Sequence, residues 1–218
     1  LWHPDERFFT NMTSELNGPQ RFTDDSIDPI EQQTSTCLSR YPDTGGGGGY
    51  FDAQCSTMNP NNVGEGLMAY GTLPAFITRW TADALAQFRN DPATAGYYGG
   101  RQVGRMISAL AEMLVILAVF FIGLRLHGKW VGLLAALLYA CTVFSIQQSH
   151  FYTADAVANM MVAMAILGAV WVQTDGRFTS YIFCGIFCGL SLASRVNTAP
   201  VIGLLLLAAG LRGLPLLD

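Results

Sequence analysis

Three apolar runs, residues 106–124, 130–146 and 156–172, follow one another with only short polar breaks. A bilayer core of ~30 Å takes about 20 largely apolar residues per helix. In hydrocarbon every backbone N–H and C=O must be paired within the chain, so such runs are read as spanning helices. Residues 181–211 are also apolar but too long for one straight span, and Arg195-Val196-Asn197-Thr198-Ala199-Pro200 interrupts them. Two helices, 181–194 and 200–217, are expected to meet near Arg195; a single tilted helix kinked at the proline is the alternative. The expected fold is mainly α, a polytopic transmembrane helical domain.

The charge distribution divides the chain. Only 13% of residues are charged, against about 25% in a soluble domain. Residues 1–105 carry seven of the twelve Lys and Arg and twelve of the sixteen Asp and Glu, leaving five and four for 106–218. Residues 1–105 are therefore expected to form a long acidic loop outside the membrane and 106–218 the spanning part. The chain opens without methionine and stops just after an apolar run, so it is expected to be an internal fragment of a longer polytopic protein.

Within the polar half, residues 10–66 are rich in Asn, Asp, Gly, Pro, Ser and Thr without a sustained period and are expected to be mostly loop. They include the glycine run 45–49 and an Asn11-Met12-Thr13 acceptor triplet. Cys37 and Cys55 would close this loop if they face an oxidising compartment, whereas Cys141, Cys184 and Cys188 lie in apolar runs and suit packing. Helical spacing returns over residues 73–90, where Leu73, Phe76, Ile77, Trp80, Ala84, Leu85 and Phe88 share one stripe. Too polar to span, this helix suits the membrane interface, with packing on a soluble core as the alternative. Tyr97 and Tyr98 fit the aromatic belt at the turn into the first span.

Orientation is set by the short loops. Both short connections that carry Lys or Arg, 125–129 and 173–179, fall on one side if the spans alternate, and that side is expected to be cytoplasmic. The acidic motif of residues 1–9, the 73–90 helix, and the turn Ser149-His150-Phe151-Tyr152-Thr153-Ala154-Asp155 then share the extracytoplasmic side.

That side gathers groups with chemistry. Asp5, Glu6, His150 and Asp155 can act as acids or bases, and Arg105 and Arg195 as anion partners. A carboxylate that takes a proton from an attacking hydroxyl, opposite cations that steady a departing phosphate, makes a coherent glycosyl-transfer site. His and carboxylates can equally hold a divalent metal, and their spacing decides neither for nor against one. The bland readings are a solvated turn at Asp5-Glu6 and an N-terminal cap at Thr153 or Asp155. Glu112, about 10 Å into the first span from Arg105, is either functional or a structural partner of another helix. Gly185 and Gly189 offer a small-residue face for helix packing.

The strings His3-Pro4-Asp5-Glu6-Arg7-Phe8, Tyr70-Gly71-Thr72-Leu73-Pro74, Gly104-Arg105 and Gln147-Gln148-Ser149-His150-Phe151-Tyr152-Thr153-Ala154-Asp155 resemble the GT-C membrane glycosyltransferases. The group most resembled is the protein-O-mannosyltransferase and aminoarabinose-transferase-like one. The resemblance implies a catalytic role for Asp5, Glu6 and Asp155, with an acidic pair that binds the acceptor and supplies the base. It implies substrate-binding roles for His3, Arg105, Glu112, His150, Tyr152 and Arg195. It further implies a sugar donor linked to polyprenyl or dolichyl phosphate, inversion at the sugar, and an acceptor that is protein, lipid or glycan. No nucleic-acid partner is expected. The location implied is a multi-pass protein of a bacterial or archaeal plasma membrane, or of the endoplasmic reticulum, with its active site extracytoplasmic. A competing class is a transporter or channel subunit in which Glu112, Asp155 and Arg195 line a pathway; a third is a membrane protein whose loop binds a partner without catalysis.

Overall fold

The computed structural model describes residues 4–16, 37–44, 48, 52, 54–56, 58–59 and 70–213. Among these the chain is helical, with a single isolated bridge between Gly48 and Ser56 in place of any sheet. His3, most of the glycine run 45–49 and the end of the last apolar run, residues 214–217, lie outside the described residues.

The first helix, α1 (Pro4–Glu15), occupies a stretch whose composition reads largely as loop. Proline opens it, where a missing N–H costs nothing, and Asp5 and Glu6 face the positive end of its dipole. What stabilises it is a buried stripe: Phe9, Met12 and Leu16 pack with Ala75, Tyr152 and Ala154. The Asn11-Met12-Thr13 triplet thus lies within a helix, with Met12 and Thr13 buried. Tertiary burial overrides the weak helix propensity of the Asn, Thr and Ser residues between.

Helix α2 (Leu73–Arg89) ends at Asn90, in the left-handed region with φ 51°. It buries Pro74, Ala75, Thr78 and Ala82, a face of small residues, while Trp80 and Phe88 stay 81% and 87% exposed. Trp80 and Phe88 therefore point away from the protein, whereas Phe76 packs against the core that α1 buries. Arg79 pairs with Asp83 at i,i+4 and also donates to the Ser14 carbonyl, which holds α2 beside α1.

The apolar half begins with α3 (Tyr97–His127) and α4 (Lys129–Ala140). It continues through α5 (Val143–His150) and α6 (Ala154–Asp175) to α7 (Phe178–Ser194) and α8 (Pro200–Gly213). Helices α3 and α6 are each long and apolar enough to cross a membrane, and α4 with α5, bent by 60° at the break, would make a third if the pair is one span. Helices α7 and α8 are apolar but shorter, and they meet at Arg195 as two separate helices. At 1.5 Å per residue α3 is about 46 Å long, so its first turns, with Arg101 and Arg105, extend past a ~30 Å core.

The sequence around Cys141 and Thr142 holds no proline or glycine, so the bend between α4 and α5 needs another cause. The Thr142 hydroxyl donates to the Leu138 carbonyl at 3.0 Å, the acceptor that its own N–H would use in a continuous helix. That N–H turns to the Tyr139 carbonyl instead. A side chain inserted into the ladder is a recognised origin of kinks.

Helix α6 is the central element, packing on α3, α7 and α8. Its contacts with α7 and α8 bury Ala165, Ala169, Val172, Cys184, Cys188 and Ala208; those with α3 bury Val115, Ala118, Ala163 and Leu167. The expected small-residue contact on α7 is not made among the described residues: a Cβ built on Gly185 or Gly189 meets nothing within 4 Å. At one end of the bundle, Arg125 pairs with Asp175, and Arg212 donates to the Gln173 and Asp175 carbonyls. At the opposite end lie α1, α2 and the acidic residues.

Candidate active site

Glu6 is the centre of the α1 end. Its side chain is 0% exposed, and it receives two guanidinium hydrogen bonds from Arg105, Nε to Oε1 at 2.5 Å and Nη2 to Oε2 at 2.8 Å. The Tyr152 backbone N–H also donates to Oε1, at 3.3 Å. Burial by itself would raise this carboxyl. The Arg105 hydrogen bonds, the Tyr152 N–H and the charges of Arg105 and Arg101 outweigh it and hold Glu6 below its ordinary 4.5. A buried, ionised and triply bonded carboxylate has little capacity left for a proton from elsewhere.

Asp5 is one residue away and partly exposed. Successive helical residues are about 100° apart around the axis, so the acidic pair divides, with Glu6 inside and Asp5 toward the surface.

Two close approaches make the clamp. A Cβ on Gly104 would lie 2.3 Å from the Tyr152 ring, so the aromatic seats directly on the α3 backbone beside Arg105. Gly71 donates its N–H to Ser194, and a Cβ there would meet the Ala193 carbonyl at 1.9 Å; this joins the start of α2 to the end of α7. The Tyr152 ring is 1% exposed, packs on Phe9, and shares a 2.7 Å hydrogen bond with Thr13. Burial pushes its phenol up to about 12, with the Thr13 and Thr78 hydrogen bonds opposing that only in part.

Asp155, in the first turn of α6, pairs with Arg195 at the α7–α8 junction, and the Arg195 guanidinium lies 5.3 Å above the Tyr70 ring. Tyr70 packs in turn on Phe8 and Phe9 of α1. Asp5 and Asp155 thereby stand one and three residues from the two partners of a single hydrogen bond, Glu6 and Tyr152. His150 is exposed and its contacts stay within α5: Nδ1 lies 2.6 Å from the Ile146 carbonyl and 3.2 Å from the Ser149 hydroxyl. Thr153 caps α6 by position only, its hydroxyl donating to Gln148 instead.

Glu112 is buried in the span and accepts hydrogen bonds from the Tyr139 hydroxyl at 2.9 Å and the Ser145 hydroxyl at 2.8 Å. Asn159 donates to Tyr139 at 2.8 Å. Sequence reading singled out Glu112 and missed its partners; the signal was there in polar residues set into the second and third apolar runs. No group of three His, Cys, Asp or Glu side chains able to hold a metal gathers among the described residues.

The stretch from residue 98 to residue 213, more than half of the chain, matches a family model described as dolichyl-phosphate-mannose-protein mannosyltransferase. The chain belongs to the dolichyl-phosphate-mannose-protein mannosyltransferase family. Membership in this family points to a membrane glycosyltransferase that takes its sugar from a dolichyl-phosphate donor. No curated protein and no solved structure matches the chain. The matched stretch contains Arg105, Glu112, His150, Tyr152, Asp155 and Arg195 but not Asp5 or Glu6. What ties the acidic pair to this mannosyltransferase-family region is the Glu6–Arg105 clamp.

Proposed function

We propose that this protein transfers a sugar from a polyprenyl- or dolichyl-phosphate carrier to a hydroxyl acceptor on the extracytoplasmic side, with inversion, and that Asp5 is the base. Asp5 takes the acceptor proton as the hydroxyl oxygen attacks the anomeric carbon from the face opposite the phosphate. The carbon–oxygen bond to the phosphate breaks, and the lipid phosphate leaves already charged, needing neutralisation rather than a proton. Arg101, Arg105 and Arg195 supply positive charge at this end of the bundle. Asp155 holds Arg195 in place, and Glu6 and Tyr152 act as positioning groups.

The observation that carries the reading is the division of the acidic pair. Glu6 is spent on Arg105 and Tyr152, which fixes the first turn of α1 on the family-matched helices and leaves its neighbour Asp5 partly exposed. The extracytoplasmic placement is supported by Arg125, Lys129, Arg177 and Arg212 at the opposite end, as the positive-inside rule requires, and by the Cys37–Cys55 disulfide in the polar half.

The test is transfer by the purified protein in detergent, supplied separately with mannose on dolichyl phosphate, mannose on undecaprenyl phosphate and mannose on a nucleotide. Product formation and release of lipid phosphate with a lipid donor support the proposal. Turnover of the nucleotide sugar alone would refute it.

A further inference from the structure

Glu112 bridges both sides of the break between α4 and α5. Tyr139 precedes the break, Ser145 lies beyond it, and both hydroxyls donate to the same carboxylate oxygen. Asn159 of α6 fixes Tyr139 from the other side. The local cause of the bend, the Thr142 hydroxyl on Leu138, loosens the helix at that point but leaves the heading of α5 open.

Two equal paths then connect Glu112 to Glu6. Along α3 it is seven residues from Glu112 back to Arg105, which clamps Glu6. From Ser145 it is seven residues to Tyr152, through the end of α5 at His150 and the extended Phe151, and the Tyr152 N–H donates to Glu6. The two buried carboxylates close a ring that fastens α3 to α5 and to the turn after it, at two levels about 10 Å apart along α3 at 1.5 Å per residue.

We infer that Glu112 is a positioning residue for the site: by holding Ser145 and Tyr139 across the bend it aims α5 so that the Tyr152 N–H reaches Glu6. It touches neither substrate nor reacting atoms. Its part is to keep the first turn of α1, and so Asp5, seated for attack. This rests on the proposed function only for its effect on catalysis; the coupling between Glu112 and the Tyr152 amide stands on geometry alone.

The experiment compares Glu112→Leu with Glu112→Gln in the whole protein, by two readouts. In Glu112→Gln the amide oxygen still accepts from both hydroxyls, whereas leucine leaves them without their acceptor. The first readout is hydrogen exchange of the 151–153 backbone measured by mass spectrometry. In Glu112→Leu it should quicken by about tenfold or more while residues 160–170 of α6 stay protected, which separates local opening from global unfolding. Glu112→Gln should exchange like wild type. The second readout is transfer per folded molecule from mannosyl dolichyl phosphate. Displacing a base by about 1 Å costs up to about a hundredfold, so kcat should fall by that order in Glu112→Leu with the donor KM little changed, and Glu112→Gln should restore it. A Glu112→Leu protein whose 151–153 amides remain as protected as wild type overturns the inference, as does one that retains wild-type kcat. If even the wild type transfers nothing, the proposed function fails, and the exchange measurement still decides the positioning role.

Discussion

Glu6 and Asp5 differ by one position and carry opposite assignments, and burial separates them. Glu6 holds its charge in a dry site because two guanidinium bonds and a backbone N–H repay its desolvation. Breaking a buried pair by removing one partner costs about 3–5 kcal/mol. Arg105 keeps 39% of its side chain exposed, so for Glu6→Ala we expect the low end, about 3 kcal/mol, read as a fall in the thermal midpoint in detergent. The pH dependence has a definite sign. The Glu6 carboxyl is lowered in the folded protein, so its contribution is present above its ordinary 4.5 and is lost as pH falls through the folded value. The wild-type advantage in midpoint over Glu6→Gln should be steady near neutrality and vanish on acidification. An advantage that persists well below that range would show that the ion pair is not its source. Gly104→Ala would press a methyl carbon against the Tyr152 ring, far inside van der Waals contact. Overpacking of this kind typically costs about 1–3 kcal/mol, and the same midpoint measurement should show it.

At the scale of elements, the long apolar helices were legible and the site's supports were not. Helices α3 and α6 are dictated by run length and hydropathy, because in hydrocarbon the backbone has no other solution. The break at Cys141 was invisible, since Thr142 bends the ladder with a hydroxyl and threonine occurs in straight spans as well. Helix α1 was hidden because its stripe of Phe9, Met12 and Leu16 is sparse, and only its partners Ala75 and Tyr152 make it worth burying. The aromatic stripe of α2 was plain, but which face it turned to the protein was not: the small face packs inward and Trp80 and Phe88 point out. That outward face is what an interfacial helix requires. Trp80→Ser with Phe88→Ser should leave the fold intact and lower partitioning of the protein into liposomes during reconstitution; unchanged partitioning would argue against an interfacial α2.

For the molecule as a whole, the ion pairs gather at the two ends of an apolar bundle, and Glu112 with its hydroxyl partners lies between them. Arg125, Asp175 and Arg212 lock one end, and Glu6, Arg105, Asp155 and Arg195 the other. The candidate residues Asp5, Glu6 and Asp155 were readable because they stand beside motifs that resemble a known family. Their pairing was not, for Glu6 and Arg105 are 99 residues apart and nothing in either neighbourhood names the other. The arrangement predicts a topology: cysteines introduced at Trp80 and Lys129 should react with a membrane-impermeant maleimide from opposite faces of sealed vesicles, and reaction of both from one face would break the orientation. The most direct measurement is the rate of sugar transfer from mannosyl dolichyl phosphate by Asp5→Asn beside wild type, at equal folded protein. Loss of a general base predicts a fall of about 10²–10⁴-fold in kcat with the thermal midpoint unchanged, whereas a wild-type rate in Asp5→Asn would contradict the assignment of Asp5 as the base.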